Sequence, residues 1–326
     1  MRTLPFNQLD VFTDRPFAGN PLAVFPEAEG LTAVQMQAIA SEMNLSETTF
    51  ILPPEGDGDA RVRIFTPALE LPFAGHPSVG TACELVRLRL VDVYQPVTRV
   101  VLELDVGPTV VEVAVRDGVP VSGTVHQRAP VFHAPAPRGS VAAVLGLELE
   151  DLHPEFDPVP VDTGLCYTII PLASQRALAR VSLDLKLAED FERRHAEIYP
   201  CAFTGQDEPW VEARGLFPFA GITEDPATGS AAGPLAAYMA REGVLPIDEE
   251  RIVLQGAQIG RPSFLSVAVS GAPGAITDVR VGGRVHPVLR GSSSFRTDRR
   301  RPVNGGSAAG ALDPDAPGVP ERAERE

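Results

Sequence analysis

Lysine is all but missing: Lys186 is the only one in 326 residues, and the remaining basic charge is arginine. A pyridoxal-phosphate enzyme builds its Schiff base on a lysine. Lys186 lies in the charged run Leu185-Lys186-Leu187-Ala188-Glu189-Asp190, which reads as a solvated face and is poorly placed for that chemistry. Cysteine is scarce too. Cys83, Cys166 and Cys201 are odd in number and widely spaced, a pattern that favours a reduced compartment over a disulfide framework. No apolar run reaches the roughly 20 residues of a membrane-spanning helix, and mean hydropathy is +0.03. The first residues, Met1-Arg2-Thr3-Leu4-Pro5-Phe6-Asn7, lack the apolar centre of a signal peptide, so the expected location is cytoplasmic. Positive charge is outnumbered as well: 28 Lys and Arg face 43 Asp and Glu, for a net charge of −15. Nucleic acid and anionic membrane surfaces are therefore not expected partners.

Several motifs are absent. There is no G-x-x-x-x-G-K and no G-x-G-x-x-G after a strand, so nucleotide binding has no support. H-E-x-x-H and paired cysteines at metal spacing are missing, and the six histidines (76, 126, 133, 153, 195 and 286) are scattered. No G-x-S-x-G elbow occurs. What remains is a site without cofactor or metal, built from carboxylates, one histidine and backbone amides. Proton transfer is the chemistry that suits it.

What the chain does have is two glycine turns, Phe73-Ala74-Gly75-His76-Pro77-Ser78-Val79-Gly80 and Asp225-Pro226-Ala227-Thr228-Gly229-Ser230-Ala231-Ala232-Gly233. Each precedes a helical pattern. A helix start offers unpaired N–H groups and a partial positive charge, which suit a carboxylate. Two such starts facing each other would hold one anion between them.

The order of elements around these turns repeats. Strands are expected at Phe6–Thr13, Leu22–Phe25, 48–52 and 61–66, with a helix over 31–44 whose apolar stripe is Val34, Ile39, Ala40 and Met43. After the first turn, Val79, Cys83, Val86 and Leu90 mark one helical face, followed by a strand meander from Val97 to Val131. The second half runs through a helix at 140–149, a strand at Tyr167–Leu172, a charged helix at 183–195, and strands at 198–204 and 211–217. It then reaches the second turn and its helix through Leu235, Met239 and Arg241. Strands at 251–255, 264–269 and 277–288 close it. Strand, glycine turn, helix, strands, twice over, suggests two similar halves. We place them at 1–118 and 119–291, with the last strand free to return to the first. The Ser-, Gly-, Pro- and charge-rich segment 292–326 has little to bury and is expected to be a disordered tail.

Four residues stand out, each with a bland alternative. His76 precedes Pro77, a residue favoured at the first helical position, so His76 reads as a cap beside exposed amides. Capping alone explains it as well as a site does. Ser230 likewise reads as an N-cap. Asp225 is not needed to cap a helix that Ser230 caps, so a polar site role fits it better. Glu47, in Asn44-Leu45-Ser46-Glu47-Thr48-Thr49-Phe50, is locally just a loop glutamate. In an enclosed cleft its pKa would rise and poise it for proton transfer.

These stretches, taken in order, resemble the PhzF-like proteins of phenazine biosynthesis, within the diaminopimelate epimerase-like superfamily. The matching residues are Gln8–Phe12 with Phe17–Val24, Asn44–Phe50, Phe65–Pro67 with Leu71–Pro77, and Glu224–Ala231. Gln255-Gly256 with Ile259–Ser263 and Val281–Gly283 complete the set. The resemblance implies an α/β (α+β) fold of two similar epimerase-like domains. Each would be a barrel-like sheet around a central helix, with the active-site cleft between them and a homodimeric assembly. It implies that Glu47 is the general acid/base, that His76 and Asp225 assist, and that Gly75, Gly229 and Ser230 hold a small-molecule carboxylate. Related amino-acid epimerases place one cysteine in each glycine turn; here both turns lack cysteine, which favours isomerisation by one acid/base. The family reaction is isomerisation of trans-2,3-dihydro-3-hydroxyanthranilate, one candidate among related carboxylates. A non-catalytic ligand-binding or dimeric scaffold on the same fold is the alternative, and the joint presence of Glu47, His76 and Asp225 speaks against it.

Overall fold

The computed structural model describes residues 2–206 and 208–295. The first half contains β1 (Arg2–Val11), β2 (Asn20–Phe25), α1 (Ala33–Met43), β3 (Glu47–Leu52), β4 (Ala60–Phe65), β5 (Glu70–Leu71) and α2 (Gly75–Arg87). It continues through β6 (Val97–Leu104), β7 (Gly107–Arg116) and β8 (Val119–Gln127). The second half runs β9 (Val131–Phe132), α3 (Arg138–Leu145), β10 (Val159–Asp162), β11 (Cys166–Leu172), α4 (Gln175–Arg180), α5 (Leu185–Arg194) and β12 (Glu197–Phe203). Then come β13 (Val211–Ala213), β14 (Gly215–Phe217), β15 (Ile222–Asp225), α6 (Gly229–Arg241), β16 (Arg251–Gln255), β17 (Ser263–Ala272) and β18 (Ala275–Phe295).

Strand order in the main sheet is β1-β2-β3-β4-β6-β7-β8-β18-β17-β16-β13-β12-β11-β10-β9, and β1 also pairs with β18. That extra pairing closes β1, β2, β3, β4, β6, β7, β8 and β18 into an eight-stranded barrel. The strand β18 is common to both halves: it pairs with β8 over Val279–Arg284, with β17 over Ala275–Gly282, and with β1 from Val285 to Phe295. The remaining arm of the sheet packs on α6 through β10, β11, β17 and β18.

Helix α2 fills the first barrel, with every residue from Gly75 to Val86 buried. A helix buried all round must satisfy its polar side chains internally. Ser78 Oγ donates to the Ala74 carbonyl, Thr81 Oγ1 lies 2.9 Å from Thr49 Oγ1, and Glu84 accepts from Asn7 and Arg87. Helix α6 is apolar instead, an Ala-rich cylinder buried from Ala231 to Ala240.

Several expectations shift. Val34, assigned to the buried stripe of α1, is 73% exposed, and Met36 and Ala40 form the buried face. Leu90 is not on α2, which ends at Arg87; it is 52% exposed. The strand expected over 211–217 is two strands in different sheets, broken at Arg214, whose guanidinium is held by Glu224 and the Leu178 and Val181 carbonyls. The division at 118/119 falls in the β7–β8 turn, and β8 remains a barrel strand. Strand β18 runs past the expected limit of 291, so residues 292–295 of the expected tail pair with Arg2–Pro5. The rest of that segment, 296–326, lies outside the described residues. No helix among the described residues is long and apolar enough to cross a membrane.

Candidate active site

The two central helices meet nearly tip to tip. A Cβ added to Gly75 would lie 3.5 Å from the Ser230 nitrogen and 3.6 Å from Gly229 Cα. Neither helix has a side-chain cap: the residues preceding them, Ala74 and Thr228, make no capping hydrogen bond. His76 and Ser230 are therefore not caps, as the sequence suggested, but the second residues of their helices. The Gly75, His76, Gly229 and Ser230 amides thus have no side-chain acceptor among the described residues, at the positive ends of two dipoles. The cleft they share has a volume of about 610 Å³ and is lined by Glu47, Gly75, His76, Tyr167, Glu197, Asp225, Gly229 and Ser230, among others.

Glu47 is not in a loop. It is the first residue of β3, paired with Leu22 of β2, and only 8% exposed. Its Oε2 lies 3.1 Å from His76 Nε2. The two atoms are out of line for a hydrogen bond, and each is buried with no other partner among the described residues. Burial pushes the Glu47 carboxyl well up, and the charge of Asp225 pushes it further. Burial alone brings His76 down to about 3, so its imidazole is neutral near pH 7. A carboxyl whose burial makes it more basic, beside a neutral imidazole and with both lining a cleft, is suited to giving and taking a proton at carbon.

Asp225 is tied down where Glu47 is free. Asn20 Nδ2 donates to its Oδ1 at 2.8 Å, and Thr228 Oγ1 donates to its Oδ2 at 2.6 Å. Gln255 backs this arrangement: its Nε2 donates to the Asp225 carbonyl and to Thr228 Oγ1, while its Oε1 accepts from Tyr199 and the Thr228 amide. Burial pushes Asp225 up to about 6 even so, against the lowering effect of the Thr228, Asn20 and Ala227 donors. Asn20 is itself positioned from the second half. Arg261 donates to Asp10 Oδ1 and to the carbonyls of Ala18 and Gly19, clamping the loop that leads into Asn20.

The structure thus brings together all six residues expected at the site: Glu47, His76, Asp225, Gly75, Gly229 and Ser230 all line the one cavity. Sequence reasoning missed the residues that hold them. Tyr167 was a strand residue only, yet its hydroxyl lies 2.9 Å from Ser230 Oγ. Gln127 Nε2 donates to the Gly229 carbonyl, and its Oε1 accepts from Thr163. Asn20, Gln255 and Arg261 sat inside the motif stretches, which was the one available signal.

Comparison with known proteins bears on family and fold. The family model described as phenazine biosynthesis-like protein (PhzC-PhzF) matches residues 9–291. The chain is 37% identical over 276 residues to trans-2,3-dihydro-3-hydroxyanthranilate isomerase of Pseudomonas chlororaphis, covering 84% of this chain and 94% of that one. Among solved structures, a PhzF-family phenazine biosynthesis protein from Bacillus anthracis superposes with a TM-score of 0.82 at 28% identity, over 90% of this chain and 100% of that one. A hydroxyproline epimerase from Agrobacterium vitis shares the fold, at a TM-score of 0.61 and 15% identity, over 89% of this chain and 92% of that one.

Proposed function

The chain belongs to the PhzC-PhzF family of phenazine biosynthesis-like proteins, and from that premise we propose that it uses Glu47 to shift a proton between carbons of a small carboxylate. It is an isomerase of this family's type acting on a small molecule. In our reading the substrate carboxylate sits between the helix tips, on the amides around Gly75, His76, Gly229 and Ser230. Glu47 in its carboxylate form takes a proton from a carbon conjugated with that carboxylate. One C–H bond breaks, and the electron pair delocalises into the carboxylate, where two helix dipoles and the bare amides stabilise the growing charge. Glu47, its proton exchanging in part with water, then protonates a second carbon, so a double bond moves and nothing is gained or lost. His76 and Asp225 orient the substrate's polar substituents.

The observation that carries the reading is the Glu47–His76 pair: two buried, unpartnered polar atoms 3.1 Å apart where the uncapped helices meet. trans-2,3-Dihydro-3-hydroxyanthranilate, the substrate in the relatives' name, is the first compound to try. We further propose a cytoplasmic homodimer with no nucleic-acid partner; the acidic charge balance supports the latter. Glu47→Gln preserves shape and removes the proton-carrying group. It should lower kcat by about 10²–10⁴-fold and abolish deuterium uptake from heavy water into substrate carbon. Unchanged turnover would reject the assignment, and a parent protein that neither turns over such a carboxylate nor passes deuterium into it would point to a binder.

A further inference from the structure

One wall of the cleft has no part in the proton shift. Glu197 opens β12 and lines the cavity. It is the register partner of Tyr167 on the parallel neighbour β11. Paired side chains on adjacent strands share a face, and the strands are about 5 Å apart. The Glu197 carboxylate therefore stands alongside the Tyr167 ring, whose hydroxyl reaches Ser230 at the tip of α6. Among the described residues no cation pairs with Glu197, and burial alone pushes its carboxyl up. Behind it on α5, Glu192 keeps Oε1 buried without a partner. Burial and the charge of Glu197 bring Glu192 up to about 7.

A half-buried carboxylate backed by a second one is unfavourable until a cation completes it. The same cavity also holds the unpartnered Glu47 Oε2 and His76 Nε2, so it is shaped for a ligand with polar groups on more than one side. We propose that Glu197 is a specificity residue that receives an ammonium group on the substrate whose carboxylate lies between the helix tips. The cleft then selects zwitterions over plain carboxylates. This rests on the reading of the tips as the carboxylate site.

The test is calorimetric binding to the full chain of cyclohexanecarboxylate, its 2-, 3- and 4-amino derivatives, and cyclohexylamine. At least one amino acid should bind about tenfold or more tighter than cyclohexanecarboxylate. In Glu197→Gln that advantage should fall to within twofold, with cyclohexanecarboxylate affinity unchanged. Glu192→Gln, which removes the second carboxylate behind Glu197, should narrow the advantage without abolishing it, and it carries the test if the first variant does not fold. No preference for any amine, or an equal loss for every ligand in Glu197→Gln, would overturn the proposal. If cyclohexylamine binds in a Glu197-dependent way while cyclohexanecarboxylate does not bind at all, Glu197 stands and the helix-tip reading falls.

Discussion

Two carboxyl groups share this cleft and are treated differently by their surroundings. Asp225 accepts hydrogen bonds from Asn20 and Thr228; the Glu47 carboxyl accepts none among the described residues. Donors to a carboxylate favour its charged form, and burial opposes it. Asp225 is thus the more readily ionised, and its charge in turn holds the proton on Glu47. This separation gives a stability signature. Asp225 keeps its proton up to about 6 in the folded chain, against 3.8 as an unperturbed side chain. Between those values the folded state binds more protons, so stability falls as pH rises through the window. Asp225→Asn lacks this loss. Its stability relative to the parent should therefore grow by roughly 3 kcal/mol between pH 3.5 and pH 7, read from urea unfolding at each pH; a constant difference would contradict the assignment. None of this was visible locally. Glu47 looked like a solvated loop residue because burial of a strand's first residue depends on what packs over it. His76 and Ser230 drew attention for a capping role that neither performs.

At the scale of elements, close approach decides what a position tolerates. A Cβ on Gly282 of β18 would lie 2.6 Å from the Gly123 carbonyl and 3.1 Å from Thr124 Cα, backbone atoms of the paired strand. A Cβ on Gly80 of α2 would instead meet Leu22 Cδ2 at 2.5 Å and Val11 Cγ2 at 2.9 Å, the ends of side chains that can turn away. Alanine in a helix also gains about 1 kcal/mol over glycine. Gly282→Ala should therefore cost about 2 kcal/mol or more, and Gly80→Ala about 1 kcal/mol or less, compared by denaturant midpoints; the reverse order would mean that β18 yields more easily than the barrel core. Elements with a strong period were legible: α2, α6 and the meander β6–β7–β8 fall close to where the pattern put them. The failures came where packing overrode pattern. Val34 sits in the first turn of α1, ahead of the buried face, and the run 211–217 breaks because Arg214 is drawn into a site between Glu224 and two carbonyls.

For the molecule as a whole, the closing strand governs integrity. Residues 292–295 read as tail from composition, since the serines 292–294 and the polar run beyond offer little to bury, yet they pair by backbone with Arg2–Pro5. Composition reports side chains; it is silent about a strand held by its main chain. A chain ending at 291 should be less stable than one ending at 295 by about 2 kcal/mol, from several backbone hydrogen bonds of modest net worth; equal melting temperatures would show that the pairing adds nothing. The repetition of strand, glycine turn and helix was legible, and so was the meeting of the two turns. One sequence left open whether the last strand returns to the first half; β18 pairs with strands of both. That arrangement bears on how the protein comes to exist during synthesis. Of the described strands β1 is the earliest in the chain and β18 the latest, and they are barrel neighbours, so the N-terminal barrel stays an open sheet until β18 has left the ribosome. Pairings of such long sequence separation form slowly and leave strand edges exposed meanwhile, and the cleft can take its substrate only after β18 arrives.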